Sequence, residues 1–131
     1  MANPNLFAAT TASGTTAYLT PSGTSALVLI RNASASGTVL KINQIVAANV
    51  NGSAAVDTTV SIYSNGGVAP GSAPSGGTAY PVVSTVSVPA DASLIVTDKT
   101  TAIYLMEDHS IAVTSGTASG ITYSVSYEVI S

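Results

Sequence analysis

The chain has no cysteine and no tryptophan, and only one phenylalanine and one histidine. Without cysteine there is neither a disulfide framework nor a thiolate to ligate a metal or act as a nucleophile, so stability must come from packing and backbone pairing. Charge is scarce as well. Three basic and six acidic side chains make up 7% of the 131 residues, against about 25% in an ordinary soluble domain. Arg31, Lys41 and Lys99 are too few and too scattered to displace counterions from a phosphate backbone, so no nucleic-acid partner is expected. No apolar run approaches the roughly 20 residues that cross a bilayer, and the opening MANPNLFAAT has no basic stretch ahead of a long apolar core. Neither membrane insertion nor secretion by a cleaved signal is therefore expected. A calcium site needs several carboxylates at close spacing, and the six acids are not arranged that way.

What is present is Ser, Thr, Gly, Ala, Asn and β-branched residues, with a mean hydropathy of +0.45 and a net charge of −3. The length fits one domain. A surface with so little charge repels its neighbours weakly and falls short of what keeps a solitary domain apart from others. It reads as a surface made to be covered by other subunits.

Periodicity supplies the fold class. In ITYSVSYEVI (121–130), Ile121, Tyr123, Val125, Tyr127 and Val129 share one face and Thr122, Ser124, Ser126 and Glu128 the other, the period-two pattern of a half-buried strand. SIAVT (110–114) and TTVSIY (58–63) repeat it, and ALVLIR (26–31), TVLKINQIVAANV (38–50), PVVSTVSV (81–88), SLIVTD (93–98), AIYLM (102–106) and TAYLT (16–20) are further strand segments. Turn-forming clusters such as TPSGT, NVNGSA and VPADAS separate them. No helical stripe persists. The expectation is an all-β antiparallel sandwich of eight or nine strands without substantial helix, jelly-roll or Ig-like. Its core is expected to include Leu29, Ile42, Val60, Ile62, Val86, Leu94, Val96, Leu105, Ile111, Val113, Val125 and Val129.

Two segments exceed a minimal sandwich. Residues 1–14 form an amino-terminal arm with the lone Phe7, ahead of a single domain over 15–131. Residues 64–79, SNGGVAPGSAPSGGTA, form a Gly/Pro/Ser-rich loop of a length that usually serves contact or stays disordered. The candidate contact residues are Phe7, Val68, Pro70, Pro74 and Tyr80. A homo-oligomer, a trimer above all, is expected to use them.

Glu107, Asp108 and His109 gather the only histidine beside two acids. Consecutive residues of an extended chain alternate faces, so three in a row meet at one atom only where a turn folds them together. With strand positions on either side, they read as the exposed tip of a hairpin rather than a catalytic or metal site. Asp91 reads as a turn residue whose carboxylate caps backbone N–H groups, and Asp98–Lys99 as a solvated pair. Six tyrosines raise the alternative of sugar stacking, although Tyr123 and Tyr127 lie with core aliphatics. NAS at Asn32 and NGS at Asn51 match the glycosylation acceptor but read as coincidental without a secretory signal. No catalytic, metal or cofactor site is expected, and hence no enzyme.

KINQIVAANVNGSAAVDTTVSIY (41–63), SVPADASLIVTDKTTAIYLMEDHSIAVTSG (87–116) and VSYEVIS (125–131) together resemble small virion structural proteins of tailed bacteriophages, especially marine and cyanobacterial phages. Gly is common in the acidic turn of those proteins where this chain has His109, so no family role passes to His109. The resemblance implies a non-enzymatic virion component assembled in the host cytoplasm. Within it, the favoured place is the capsid exterior, as a decoration or cement protein partnered by the major capsid protein and copies of itself. A tail, neck or fibre position and a receptor-recognising carbohydrate-binding module are the alternatives.

Overall fold

The computed structural model describes residues 4–65 and 67–131; positions 1–3 of the expected arm and position 66 of the expected loop lie outside the described residues. Nine strands follow in chain order: β1 Ala12–Leu19, β2 Leu27–Arg31, β3 Val39–Asn49, β4 Val56–Tyr63, β5 Ala79–Val88, β6 Ser93–Thr97, β7 Ile103–Leu105, β8 Ser110–Ser115 and β9 Ile121–Ile130. Among the described residues the only helical element is a 3₁₀ turn, Lys99–Thr101.

The strands form two antiparallel sheets, one ordered β1-β9-β3-β6 with β7 also paired to β3, the other ordered β2-β8-β4-β5. Leaving aside the short β7, the first strand pairs with the last, the second with the second-last, and so inward to β4 with β5. A long antiparallel ribbon wound on itself gives this order, which is the double Greek key of a jelly roll. The two topologies left open by the sequence are thereby resolved. Alternation explains each face: Ile121, Tyr123 and Val125 of β9 are buried while Thr122, Ser124 and Ser126 between them are partly exposed, because successive side chains leave the pleat on opposite sides.

The core between the sheets contains Leu29, Ile42, Ile45, Val60, Leu105, Ile111, Val113 and Val125, with Ile62, Leu94, Val96 and Val129 packed against it. Val86 is the exception among the expected core residues. It is only half-buried and stays outside the cluster. A bulge in β5, where the register moves from Thr58↔Val86 to Val60↔Val83, gives Thr85 a φ of 51° and brings Val83 against the core as well. The Thr85 N–H is satisfied by Thr59 Oγ1 at 2.9 Å.

The boundaries of the two extra segments also move. Ala12–Gly14 belong to β1 and pair with β9, so the arm that precedes the domain is shorter than expected. The loop after β4 is not a free projection. Ser64 N–H bonds Thr78 O at 3.0 Å, closing its base, and at its far end Val28 N–H donates to Ser72 O while Gly71 N–H donates to Val28 O, both at 2.8 Å. It is thus a strap along the outer edge of β2. Gly77 makes its return possible: φ is +73°, and a Cβ there would lie 2.3 Å from Asn65 O, a distance no side chain tolerates.

Candidate functional site

The EDH segment is not a hairpin tip. β7 pairs with β3 in one sheet and β8 with β2 and β4 in the other, so Met106–His109 form an arch that carries the chain between sheets. Glu107, Asp108 and His109 are all half-buried rather than exposed. The arch turns on Asp108, at φ 62°, and is clamped by Asn32: Asp108 N–H donates to Asn32 O and Asn32 N–H donates to His109 O, both at 2.9 Å.

Asn32, whose side chain fits a glycosylation signal in sequence, is 2% exposed. Its Nδ2 donates to Thr38 O at 2.8 Å and Leu105 O at 3.0 Å, and its Oδ1 accepts from Ser36 Oγ at 2.6 Å and Thr38 Oγ1 at 3.1 Å. An amide so engaged is unavailable to modification in the folded protein. At the other end of β3, the buried Asn49 works the same way, with Nδ2 donating to Ala54 O and Val88 O and Oδ1 accepting from Asn51 N–H. Both residues satisfy carbonyls that would otherwise be stranded where strands leave a sheet.

The His109 ring lies back on its own turn, with Nδ1 2.8 Å from Glu107 O. A carbonyl only accepts, so Nδ1 carries the proton in this arrangement. Among the described residues no three His, Asp or Glu side chains come together in a metal-binding group. Asp98 is not paired with Lys99; its Oδ1 accepts from Thr100 N–H at 2.9 Å and Thr100 Oγ1 at 2.5 Å, capping the 3₁₀ turn. The Thr100 side-chain bond, and then its backbone bond, hold the Asp98 carboxyl below its ordinary range. Asp91 occupies the expected turn, at φ 57°, but it is Ala92 N–H to Pro89 O that closes it, and the carboxylate lies over Gly52.

The five candidate contact residues fall into separate places. Phe7 is fully exposed on a turn whose N–H groups bond Asn5. Leu6 and Ala9–Ala12 line a hollow of about 380 Å³ with Lys41, Tyr104, Glu128 and Ile130, so the arm lies over the outer face of the β1-β9-β3-β6 sheet. Val68, Pro70 and Pro74 belong to the strap on the opposite sheet, where Val68 and Pro74 are half-buried and Pro70 is exposed. Tyr80 is exposed on β5. The arm and the strap do not form one surface.

A further exposed face is made of residues that the sequence does not single out as contacts. On the outside of the first sheet, register aligns Tyr18, Ser124, Val46 and Ile95 in one row, of which Tyr18 is 78% and Ile95 58% exposed. Neighbouring rows are closed by hydroxyl pairs, Thr16 with Ser126 at 3.2 Å and Thr20 with Thr122 at 2.8 Å. Lys41 and Glu128 are the only charged residues in the strands of this sheet, and they face each other across β3 and β9 at 4.0 Å. A second hollow, about 480 Å³, opens beside it and is lined by Asn43, Gln44, Asp98, Lys99, Thr100 and Ser126.

Of the six tyrosines, Tyr123 is wholly buried, with its OH donating to Thr114 O at 2.8 Å and also bonded to Thr58 Oγ1; Tyr18, Tyr80 and Tyr104 are exposed. Tyr18 and Tyr104 share the outer face but lie four residues and three strand spacings apart, roughly 20 Å. No single sugar ring bridges them. Comparison of the chain with family models, with curated proteins and with solved structures gives no match in any of the three.

Proposed function

We propose that the protein is a non-enzymatic structural component of a tailed-phage virion, a decoration or cement protein on the capsid exterior that contacts the major capsid protein. The observation that carries this reading is the outer face of the β1-β9-β3-β6 sheet: hydroxyls, Val46, Tyr18, Ile95 and a single neutralised ion pair. Such a face gives up little hydration when covered, so a complementary protein surface binds it without desolvating unpaired charges. The exposed Phe7 beside it adds an aromatic anchor of the kind that dominates interface energetics. The jelly roll is compatible with the reading, since capsid proteins use it, but lectin domains and cupins use it too and fold alone does not decide function.

A density map of the whole particle tests the proposal. The expected result is the protein on the capsid lattice with this face turned inward and retention through a wash in roughly 1 M salt, where the Debye length is about 3 Å. Density at the tail, neck or fibre would move the protein within the virion, and its absence from the particle would refute the proposal. The carbohydrate-binding reading rests on the exposed Tyr18 and Tyr104; saturable glycan binding abolished by Tyr18→Ala or Tyr104→Ala would replace the structural reading.

A further inference from the structure

The outermost strand of a sheet presents unpaired N–H and C=O groups to any passing chain, and folded proteins protect it with proline, charge, bulges, short length or a covering segment. Three of the four edges here are protected in those ways. β2 is covered by Gly71 and Ser72 of the strap, β5 carries Pro81 and the bulge at Thr85, and β6 has five residues and runs into Asp98 and Lys99. β1 differs. Its eight residues, ASGTTAYL, include no charge and no proline, and its register against β9 runs without a break from Ala12↔Ile130 to Leu19↔Tyr123.

The hydrogen-bond phase of β1 follows from one pair. Thr11 and Ser131 exchange both backbone bonds, at 3.1 and 3.0 Å. Since bonded and non-bonded pairs alternate along an antiparallel ladder, Ser13, Thr15, Ala17 and Leu19 bond β9, while the N–H and C=O of Ala12, Gly14, Thr16 and Tyr18 point to the open side. Among the described residues the arm does not cover that side, because Leu6 and Ala9 lead over the outer face toward Lys41 and Tyr104.

We propose that β1 pairs antiparallel with β1 of a second copy across a twofold axis at Thr15, joining two sheets into one. In that register Ala12 meets Tyr18 of the second copy and Gly14 meets Thr16, so all four open residues on each strand exchange bonds. Each pair sets a large side chain against a small one, and space is available: a Cβ added to Gly14 would meet nothing within 4 Å. Symmetry places like residues near like, and a strand without charge brings no repulsion to the axis. The self-complementarity of register, size and charge selects a second copy over a foreign strand. The twofold symmetry replaces the threefold expected from the arm and the loop, and the inference does not depend on the virion reading.

Sedimentation equilibrium together with amide hydrogen exchange tests it. The wild-type chain should sediment at twice 12.9 kDa, with the amides of Gly14, Thr16 and Tyr18 protected along with those of Ser13 and Thr15. Thr16→Pro removes an N–H that β9 does not use, as edge strands tolerate; it should leave a folded monomer in which Gly14 and Tyr18 exchange fast and Thr15 stays protected. Thr16→Lys keeps the N–H but sets two like charges beside the axis, and should weaken association by about tenfold or more, which serves if the proline variant fails to fold. A monomeric wild type overturns the proposal. So does a dimer in which the Gly14 and Tyr18 amides exchange freely, or protection of those amides only when another protein is added, which would make the edge a site for a foreign strand.

Discussion

Replacing Asn32 by Asp changes one group of atoms, NH₂ for O, at the most densely bonded side chain of the arch. The two carbonyls of Thr38 and Leu105 that accept from Nδ2 at 2.8 and 3.0 Å would face a carboxylate instead. An ionised group in that position is untenable, so the introduced acid takes up a proton in the folded state and its pKa rises above the ordinary value of about 3.9. Protonated, it can donate to one of the two carbonyls, and the other goes unsatisfied at a cost of about 1–3 kcal/mol. Holding the proton at pH 7 costs at most about 4 kcal/mol more, from 1.36 kcal/mol per unit over roughly three units. The sign follows. A folded pKa raised above the unfolded one leaves stability intact below about pH 4 and removes it as pH rises. Urea unfolding followed by far-UV circular dichroism should thus show Asn32→Asp about 1–3 kcal/mol less stable than wild type near pH 3.5 and up to about 5–7 kcal/mol less stable at pH 7. Asn32→Ala should be destabilised by a similar amount at both values. An Asp variant within about 1 kcal/mol of wild type at pH 7 would mean that the amide does not hold the arch.

Gly77→Ala should lower stability by more than about 2 kcal/mol, since it combines a left-handed φ with a clash against the Asn65 backbone; a neutral result in thermal melts would show that the strap does not depend on this return. Burial raises the Tyr123 hydroxyl above its ordinary 10.0, with the Thr58 bond opposing it, and burial raises Tyr127 likewise. Their contribution is therefore whole below pH 10 and lost as pH rises through the folded values, at up to about 1.4 kcal/mol per pH unit for Tyr123 and less for the more solvated Tyr127. Tyr123→Phe should lose about 1–3 kcal/mol at pH 7 but show a shallower alkaline decline, read as unfolding midpoints across pH 9–12. Val125→Asp, at a fully buried position of a central strand, should abolish the folded circular dichroism spectrum, because an unpaired buried carboxylate costs several kcal/mol against a total of about 5–15.

What sequence reveals here is whatever period two can express. All nine strands appear as segments, and β9 shows its buried and exposed faces residue by residue, because alternation is local. Partnership is not local. Leu105 and Ile111 look like the two sides of a hairpin until β7 and β8 are seen to belong to different sheets; a tight turn and an arch use similar residues. The structural role of Asn32 is hidden because its four side-chain bonds reach Thr38, Ser36 and Leu105, of which Leu105 is 73 positions away. The inward turn of Val83 is hidden because a bulge shifts parity without leaving a Gly or Pro at Thr85. The Gly/Pro loop announces its length but not its docking on Val28. The outer face of Tyr18, Val46 and Ile95 is invisible for the same reason: it is assembled from four strands by register.

The winding of the ribbon also orders events on the ribosome. Of the nine strands β1 emerges ahead of the rest, yet its sheet partner among the described residues is β9, eight strands later, and β3 too waits for β9 on one side. The β1-β9-β3-β6 sheet therefore cannot close until β9 has emerged, whereas β4 and β5 can zip as a local hairpin much earlier. Folding that depends on such distant pairings takes milliseconds to seconds rather than microseconds. Throughout that interval the uncharged eight-residue β1 segment is exposed to other nascent chains on the same message, and rapid synthesis from a crowded polysome would favour aggregation over folding.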